Sequence, residues 1–339
     1  MQQIIQHIVR HYDNRYHPDR FEYLNDSGGF SGADVFQLHS PAGQFCLRGW
    51  PVSDLPAKRI RGLHRLLAVV AAQGVSQVAV PIKSLDDTTL VKIGDRYWQL
   101  EPWMPGQADF RQHPSDLRIR AAVHCLADWH RAVLTFVPRP AERVWFYCLS
   151  DVQSPAIIER LDHIQRYRHG RIERIRRLLM SENWLEFRET GEQILELFQK
   201  VSPRVTGELE TACSLHFRLQ PCLRDIWHDH VLFTDDAVTG LIDASACRSE
   251  NVATDLARMI GSFVGDDRKA WDVALAAYQQ QRPLTLDELG LVEILDRSGV
   301  VLSGIVWLDR WYLQGRRPTQ QDRVHEILNR ILERLERVQ

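Results

Sequence analysis

No apolar run in this 339-residue chain approaches the roughly 20 residues that a helix needs to cross a bilayer. The longest, Gly299 to Leu308, is broken by Ser303 and Gly304, so no membrane partner is expected. An export signal is lacking too. Arg10, His11 and Asp13 come early and no apolar core of signal length is near them, which points to a cytoplasmic protein. The six cysteines, Cys46, Cys125, Cys148, Cys213, Cys222 and Cys247, form no close pair. Their scatter argues against a zinc ribbon or a redox pair and leaves buried free thiols as the expectation. Charge of one sign is also missing: a formal net charge of −2 gives no electrostatic reason to expect nucleic acid or an acidic membrane as partner.

What is present is the make-up of an ordinary folded protein. With 44% hydrophobic and 25% charged residues, the chain can bury a full core and is long enough for two lobes. Residues 1 to about 17 read as a short helix with Ile4, Ile5, Ile8 and Val9 on one side. Strands are expected at Phe21 to Leu24, Val35 to His39, Gln44 to Gly49, Thr88 to Ile93 and Arg96 to Leu100, with Pro41 and Gly43 suited to one tight turn and Gly94-Asp95 to another. Between them, Ala57 to Ala72 has helical spacing through Ile60, Leu63, Leu66, Leu67 and Val70. Pro102, Pro105 and Gly106 mark a linker. Beyond it the chain turns helical, starting from a Ser115 cap.

Residues 155 to 212 form a helical insertion, basic at first (Arg160, Arg166, Arg168, Arg171, Arg174, Arg176, Arg177) and acidic later (Glu182, Glu186, Glu189, Glu192, Glu196). Two antiparallel helices exchanging surface ion pairs explain that pattern better than an anion-binding patch. The last helix has one apolar stripe through Val324, Ile327, Leu328, Ile331, Leu332 and Leu335.

Chemistry concentrates at Cys222-Leu223-Arg224-Asp225-Ile226-Trp227-His228-Asp229-His230-Val231-Leu232-Phe233, followed by Leu241-Ile242-Asp243. Thr234 to Ala237 has turn composition between two apolar runs, so a hairpin brings Asp225 and Asp243 to one cleft from opposite ends. Phosphoryl transfer needs such a pair, one carboxylate to orient the attacking hydroxyl and one to hold Mg²⁺ against nucleotide phosphates. By pattern alone the same residues are also a turn cap and a strand-end acid. Ser27-Gly28-Gly29-Phe30-Ser31-Gly32-Ala33 is equally two-sided: its glycines let a backbone approach phosphates, or simply turn the chain.

The order of these segments resembles the aminoglycoside phosphotransferase and choline kinase family, relatives of the protein kinases. Asp225 and the four residues after it fit the catalytic loop, and Leu241-Ile242-Asp243 the metal-binding strand end. The glycine segment is similar to the phosphate loop, Phe45-Cys46-Leu47-Arg48 to the third strand, and Leu100-Glu101-Pro102-Trp103-Met104-Pro105-Gly106 to the interlobe hinge. Leu126-Ala127-Asp128-Trp129-His130 looks like a helix under the active site, and Asp255-Leu256-Ala257-Arg258 like the brace of the catalytic loop.

The resemblance implies a bilobal, protein-kinase-like α+β fold. An antiparallel N-lobe would run to about residue 103, and a helical C-lobe would take up residues 104–339. It also implies an ATP- and Mg²⁺-dependent phosphotransferase that phosphorylates a hydroxyl of a small molecule. Asp225 would be the catalytic base. Gly28, Gly29, Ser31, Gly32, Arg48, Glu101 and Trp103 would bind the nucleotide, and Asp243 and His230 the metal.

Three departures from the family pattern stand out. Arg48 occupies the usual lysine position, and a planar fork is not a compact ammonium. His230 occupies an asparagine position, and imidazole suits hard Mg²⁺ less well than an amide oxygen. No Glu or Asp lies between Ala57 and Pro81 to partner the third-strand cation, and the nearby His64 is not expected to substitute. These departures keep open a kinase-like nucleotide-binding or regulatory protein without turnover. His228-Asp229-His230 with Asp225 and Asp243 also leaves a His/Asp metallohydrolase as a further alternative.

Overall fold

The computed structural model describes residues 2–24, 32–316 and 321–338. By internal contacts the chain forms two compact units, the first comprising Met1–Cys148, Gln220–Ser249 and Asp272–Pro283, the second Leu149–Leu219, Glu250–Trp271 and Leu284–Gln339.

The first unit opens with α1 (Gln2–Val9), followed by β1 (Arg20–Tyr23), β2 (Asp34–Ser40), β3 (Gly43–Pro51), α2 (Ala57–Ala72), β4 (Val91–Ile93), β5 (Arg96–Pro102) and α3 (Asp116–Ala132). The five strands make one antiparallel sheet in the order β1-β2-β3-β5-β4. Period-2 alternation gives this sheet two distinct faces. One face carries Phe36, Leu38, Phe45, Leu47, Trp98 and Leu100, which pack with Ile5, Ile8, Val9 and Tyr12 from α1 and the residues after it. Each such side chain taken from water contributes about 1.5–3 kcal/mol. The other face carries Cys46, Arg48 and Trp50 of β3 and Gln99 and Glu101 of β5, set against one another by the register Cys46↔Glu101 and Arg48↔Gln99. Trp50 packs there with Ile60 of α2. A sheet covered on one side by α1 therefore turns its polar alternates toward α2.

The N-terminal helix is shorter than expected, ending at Val9 with a separate 3₁₀ turn at Asn14–Tyr16, which Asp13 caps by accepting the Arg15 N–H. The strand expected from Thr88 begins only at Val91, because Thr88 Oγ1 bonds the main chain of Leu90 in a turn. Helix α2 has the expected bounds, and Ser115 caps α3 by accepting the Arg118 N–H.

The second unit contains β6 (Leu149–Val152), α4 (Pro155–Arg166), α5 (Ile172–Leu179) and α6 (Leu185–Ala212). The insertion is thus three helices, and the break between α4 and α5 falls at His169-Gly170, where Gly170 adopts φ 88°. As expected, basic and acidic stretches pair between helices, Arg176 of α5 with Glu192 of α6 at 3.4 Å.

Strand β7 (Phe217–Cys222) runs from the second unit into the first, where β8 (Val231–Thr234) and β9 (Ala237–Leu241) form the expected hairpin. The chain then continues through β10 (Arg248–Glu250), α7 (Ala253–Val264), α8 (Arg268–Gln281), α9 (Leu286–Tyr312) and α10 (Gln321–Arg337). Helix α9 begins with a Thr285–Glu288 capping box, and in the second unit it packs on α4, α6, α7 and α10.

Four of the cysteines are buried as expected, whereas Cys148 is exposed and Cys213 half-buried. Among the described residues, no helix is long and apolar enough to cross a membrane.

Candidate active site

The site is built on the α2-facing side of the first unit's sheet. Arg48, at the centre of β3, is almost fully covered and lies between two carboxylates, Nη1 to Asp243 Oδ2 at 3.3 Å and Nε to Glu101 Oε1 at 3.8 Å. Its guanidinium also stands 5.1 Å from the Trp50 ring centroid, a cation–π contact. Burial alone would weaken the guanidinium's charge, but Asp243 and then Glu101 outweigh it and bind its proton more tightly than usual. The missing acid of α2 is therefore replaced from the sheet itself, by Glu101 on the neighbouring strand.

The two carboxylates differ. Burial raises Glu101 above the ordinary range despite Arg48 and the Gln99 amide. Burial pushes Asp243 the same way, yet Arg48, the Ser245 N–H and His230 prevail and hold it at about 2. Asp243 is closer to the cation and has a backbone donor, Ser245 N at 3.4 Å, which accounts for the opposite direction of its shift. Burial and Glu101 together push the Cys46 thiol up to about 12, which leaves it an inert neighbour.

Asp243 follows β9 in a left-handed backbone conformation, φ 55° and ψ 59°, a region that Asp tolerates better than most residues. Arg224, just before Asp225, is also left-handed at φ 65°. Such conformations persist only where the surroundings over-determine them, and they cluster at functional sites. Here the surroundings are specific. Leu241 N–H donates to Gln77 O, Ile242 N–H to His230 O, and Arg59 of α2 donates to the carbonyls of Ser245 and Cys247. Both the strand before Asp243 and the turn after it are fastened.

The segment from Asp225 to His230 holds itself together through the His230 ring. Trp227 Nε1 can only donate, so His230 Nε2 accepts at 3.1 Å, and the proton on Nδ1 is donated to the main-chain carbonyl of Asp225 at 2.7 Å. Both ring nitrogens are thus engaged, and a metal at His230 would have to displace one of these partners. Among the described residues, no three of Asp225, His228, His230 and Asp243 bring ligand atoms within 4.8 Å of one another, as a His/Asp metal centre would require. A hard divalent cation fits Asp243 better: an ionised carboxylate whose side chain keeps 28% of its surface open offers the oxygen donor that Mg²⁺ prefers.

The structure brings Arg48, Glu101 and Asp243 into contact and ties Asp225 to them through His230, whose carbonyl receives the Ile242 N–H. Trp103 is exposed, its N–H donating to Gln44 O. Gly28, Gly29 and Ser31 lie outside the described residues. Gly32 has φ 63°, and its carbonyl receives Arg96 Nη1 at 3.0 Å. Sequence reasoning missed Gln99, Trp50 and Arg59. The signal for the first two is the period-2 face shared with Arg48; the third bonds carbonyls of the turn after β9, which no local pattern marks.

Comparison with known proteins bears on the fold and the family. A homoserine kinase of Chelativorans sp. is 24% identical over 292 residues, spanning 81% of this chain and 76% of that protein. The fold is that of the kinase-like phosphotransferases. The structure of a spectinomycin phosphotransferase in complex with ADP and spectinomycin superposes with a TM-score of 0.67 at 13% identity, covering 99% of this chain and 98% of that one. A microcompartment-associated aminopropanol kinase superposes at 0.68 with 14% identity, covering 99% and 97%. The model of the phosphotransferase enzyme family matches residues 23–289, most of the chain, and the protein belongs to that family.

Proposed function

We propose that this protein is a small-molecule kinase that transfers the γ-phosphoryl group of ATP, with Mg²⁺, to a hydroxyl of its acceptor. The observation that carries the reading is the contact of Arg48 with Asp243 at 3.3 Å, beside the loop that holds Asp225. A phosphate-binding cation and an ionised metal-binding acid meet next to the loop that carries the catalytic acid, in a chain of a phosphotransferase family.

In this reading Arg48, together with Gly28, Gly29, Ser31 and Gly32, holds the phosphates, and the chain from Glu101 to Trp103 lines the base. Asp225 orients the acceptor hydroxyl and takes its proton. A bond forms from the acceptor oxygen to the γ-phosphorus as the bond to the β,γ-bridging oxygen breaks, and ADP leaves. When bound at Asp243, Mg²⁺ supplies the charge neutralisation that such a transition state requires. His230 acts by fixing the loop rather than by direct ligation, since its ring nitrogens are committed to Trp227 and Asp225.

The neighbours' names, homoserine kinase, aminopropanol kinase and spectinomycin phosphotransferase, support a small acceptor carrying both hydroxyl and amine groups. Incubation of the protein with Mg-ATP and pools of amino alcohols, hydroxy amino acids and sugars, followed by phosphorus NMR, tests it. A new phosphomonoester signal matched by ADP is the expected result. ADP that binds while ATP stays intact against every pool would favour a nucleotide-binding regulatory protein.

A further inference from the structure

Helix α2 carries no acid, yet it is not disconnected from the third-strand cation. His64, on α2 and 3% exposed, faces Gln99 of β5. Trp50 Nε1, which can only donate, reaches Gln99 Oε1 at 2.8 Å, and this fixes the orientation of the amide. His64 Nε2, 3.0 Å from the same oxygen, must then carry the ring proton and donate it, while Nδ1 accepts from Thr89 Oγ1 at 2.7 Å. Gln99 turns its Nε2–H toward Glu101 Oε2 at 2.7 Å, and the other Glu101 oxygen faces Arg48 Nε at 3.8 Å. The result is one buried, directional chain from Thr89 through His64, Gln99 and Glu101 to Arg48.

We propose that His64 and Gln99 are positioning residues for phosphate binding, forming a relay through Glu101 that ties helix α2 to Arg48 in place of a carboxylate on the helix. The proposal rests on the reading of Arg48 as a phosphate ligand. Its physics is that of buried polar groups. Glu101 and the Gln99 amide sit where an unmade hydrogen bond costs the full desolvation of the orphaned atom, so each member of the chain is held in one orientation by the next. Arg48 Nε makes no hydrogen bond of its own, and the guanidinium is placed by charge on either side rather than by a bonded fork. Its direction therefore depends on where Glu101 is held. A neutral His64 suits the part: burial lowers its pKa to about 4, which keeps the single Nε2 proton that the amide requires.

The test compares Gln99→Leu, His64→Leu and His64→Gln with wild type, the last retaining a donor near the Nε2 position. Two readouts are used: the ¹⁵N resonance of Arg48 Nε–H in the protein without nucleotide, and the affinities for ADP and for adenosine. Both leucine variants should shift the Arg48 resonance and weaken ADP about tenfold, the usual lower bound for lost outer-shell support, while adenosine affinity stays within about twofold, and His64→Gln should recover both signals. An unmoved Arg48 resonance with unmoved ADP affinity overturns the relay, and so does an equal loss of adenosine, which would mean general damage to the fold. Wild type that binds ADP no better than adenosine would sink the phosphate role of Arg48 instead, and the Arg48 resonance would still decide whether the relay exists.

Discussion

The Arg48 guanidinium lies 3.3 Å from Asp243, while Glu101 stands on its other side, so one buried cation is shared by two acids. Removing it leaves those acids facing each other with little water. Arg48→Met should therefore destabilise the fold by about 3 kcal/mol, the cost typical of breaking a buried pair from one side. Arg48→Lys should fold with a smaller loss but bind ADP less well, because an ammonium cannot span both carboxylates as the planar fork does. Urea unfolding at pH 7 with calorimetric ADP titration measures both. Wild-type stability in Arg48→Met would show that the pair is not formed in solution.

The same pair makes acid stability depend on Asp243. Its folded pKa is held at about 2 from an ordinary 3.8, so the unfolded chain takes up the proton first. That contribution, about 2 kcal/mol, is fully present above about pH 4 and disappears as pH falls toward 2. In Asp243→Asn it is absent throughout. Denaturant midpoints at pH 5 and pH 2.5 should fall further in wild type than in Asp243→Asn, and parallel losses would refute the linkage.

Gly106 sits at φ 98°, and an added Cβ would meet Thr239 Oγ1 and, at 2.6 Å, the Phe233 carbonyl. Its neighbour Gln107 exchanges backbone hydrogen bonds with Phe233 of β8, which fastens the chain leaving β5 to the β8–β9 hairpin. Gly106→Ala combines left-handed strain with a backbone clash and should cost about 2–3 kcal/mol. Thermal unfolding checks it, and a loss under about 0.5 kcal/mol would mean that the two segments are not rigidly joined.

Much of this is legible in the sequence. Phe45 and Leu47 alternating with Cys46 and Arg48 mark β3 as a strand with one apolar face, and the β8–β9 hairpin stands between its own turn residues, so both elements lie where the pattern puts them. The partner of Arg48 was not readable. It depends on the register of β3 against β5 across an intervening helix, and nothing local to Glu101 tells a hinge residue from an ion-pair partner. His64 does not replace an acid by direct contact with Arg48. Only the facing position of Gln99 turns it into a link. His230, read as a metal ligand by its place in the loop, has its nitrogens taken by Trp227 and the Asp225 carbonyl, partners that no spacing rule identifies.

His230 should therefore behave as a brace. His230→Asn can still donate to the Asp225 carbonyl from its amide and should keep turnover within a few-fold. His230→Leu loses that donor and should lower kcat about tenfold to a hundredfold with little change in KM for ATP. Steady-state kinetics with varied Mg²⁺ separate this from ligation: a large rise in the Mg²⁺ requirement of His230→Leu without a kcat effect would return the residue to the metal.

The most direct test of the phosphotransferase reading is Asp225→Asn, which keeps the side chain's shape but removes its basic carboxylate. ADP affinity and product formation are measured on the same preparation. Phosphoryl transfer should fall by about a hundredfold to ten-thousandfold, the usual range for a general acid–base contribution, while ADP affinity stays within about twofold, since the phosphates are assigned to Arg48 and the glycine loop. Product formation at the wild-type rate in Asp225→Asn would contradict the assignment.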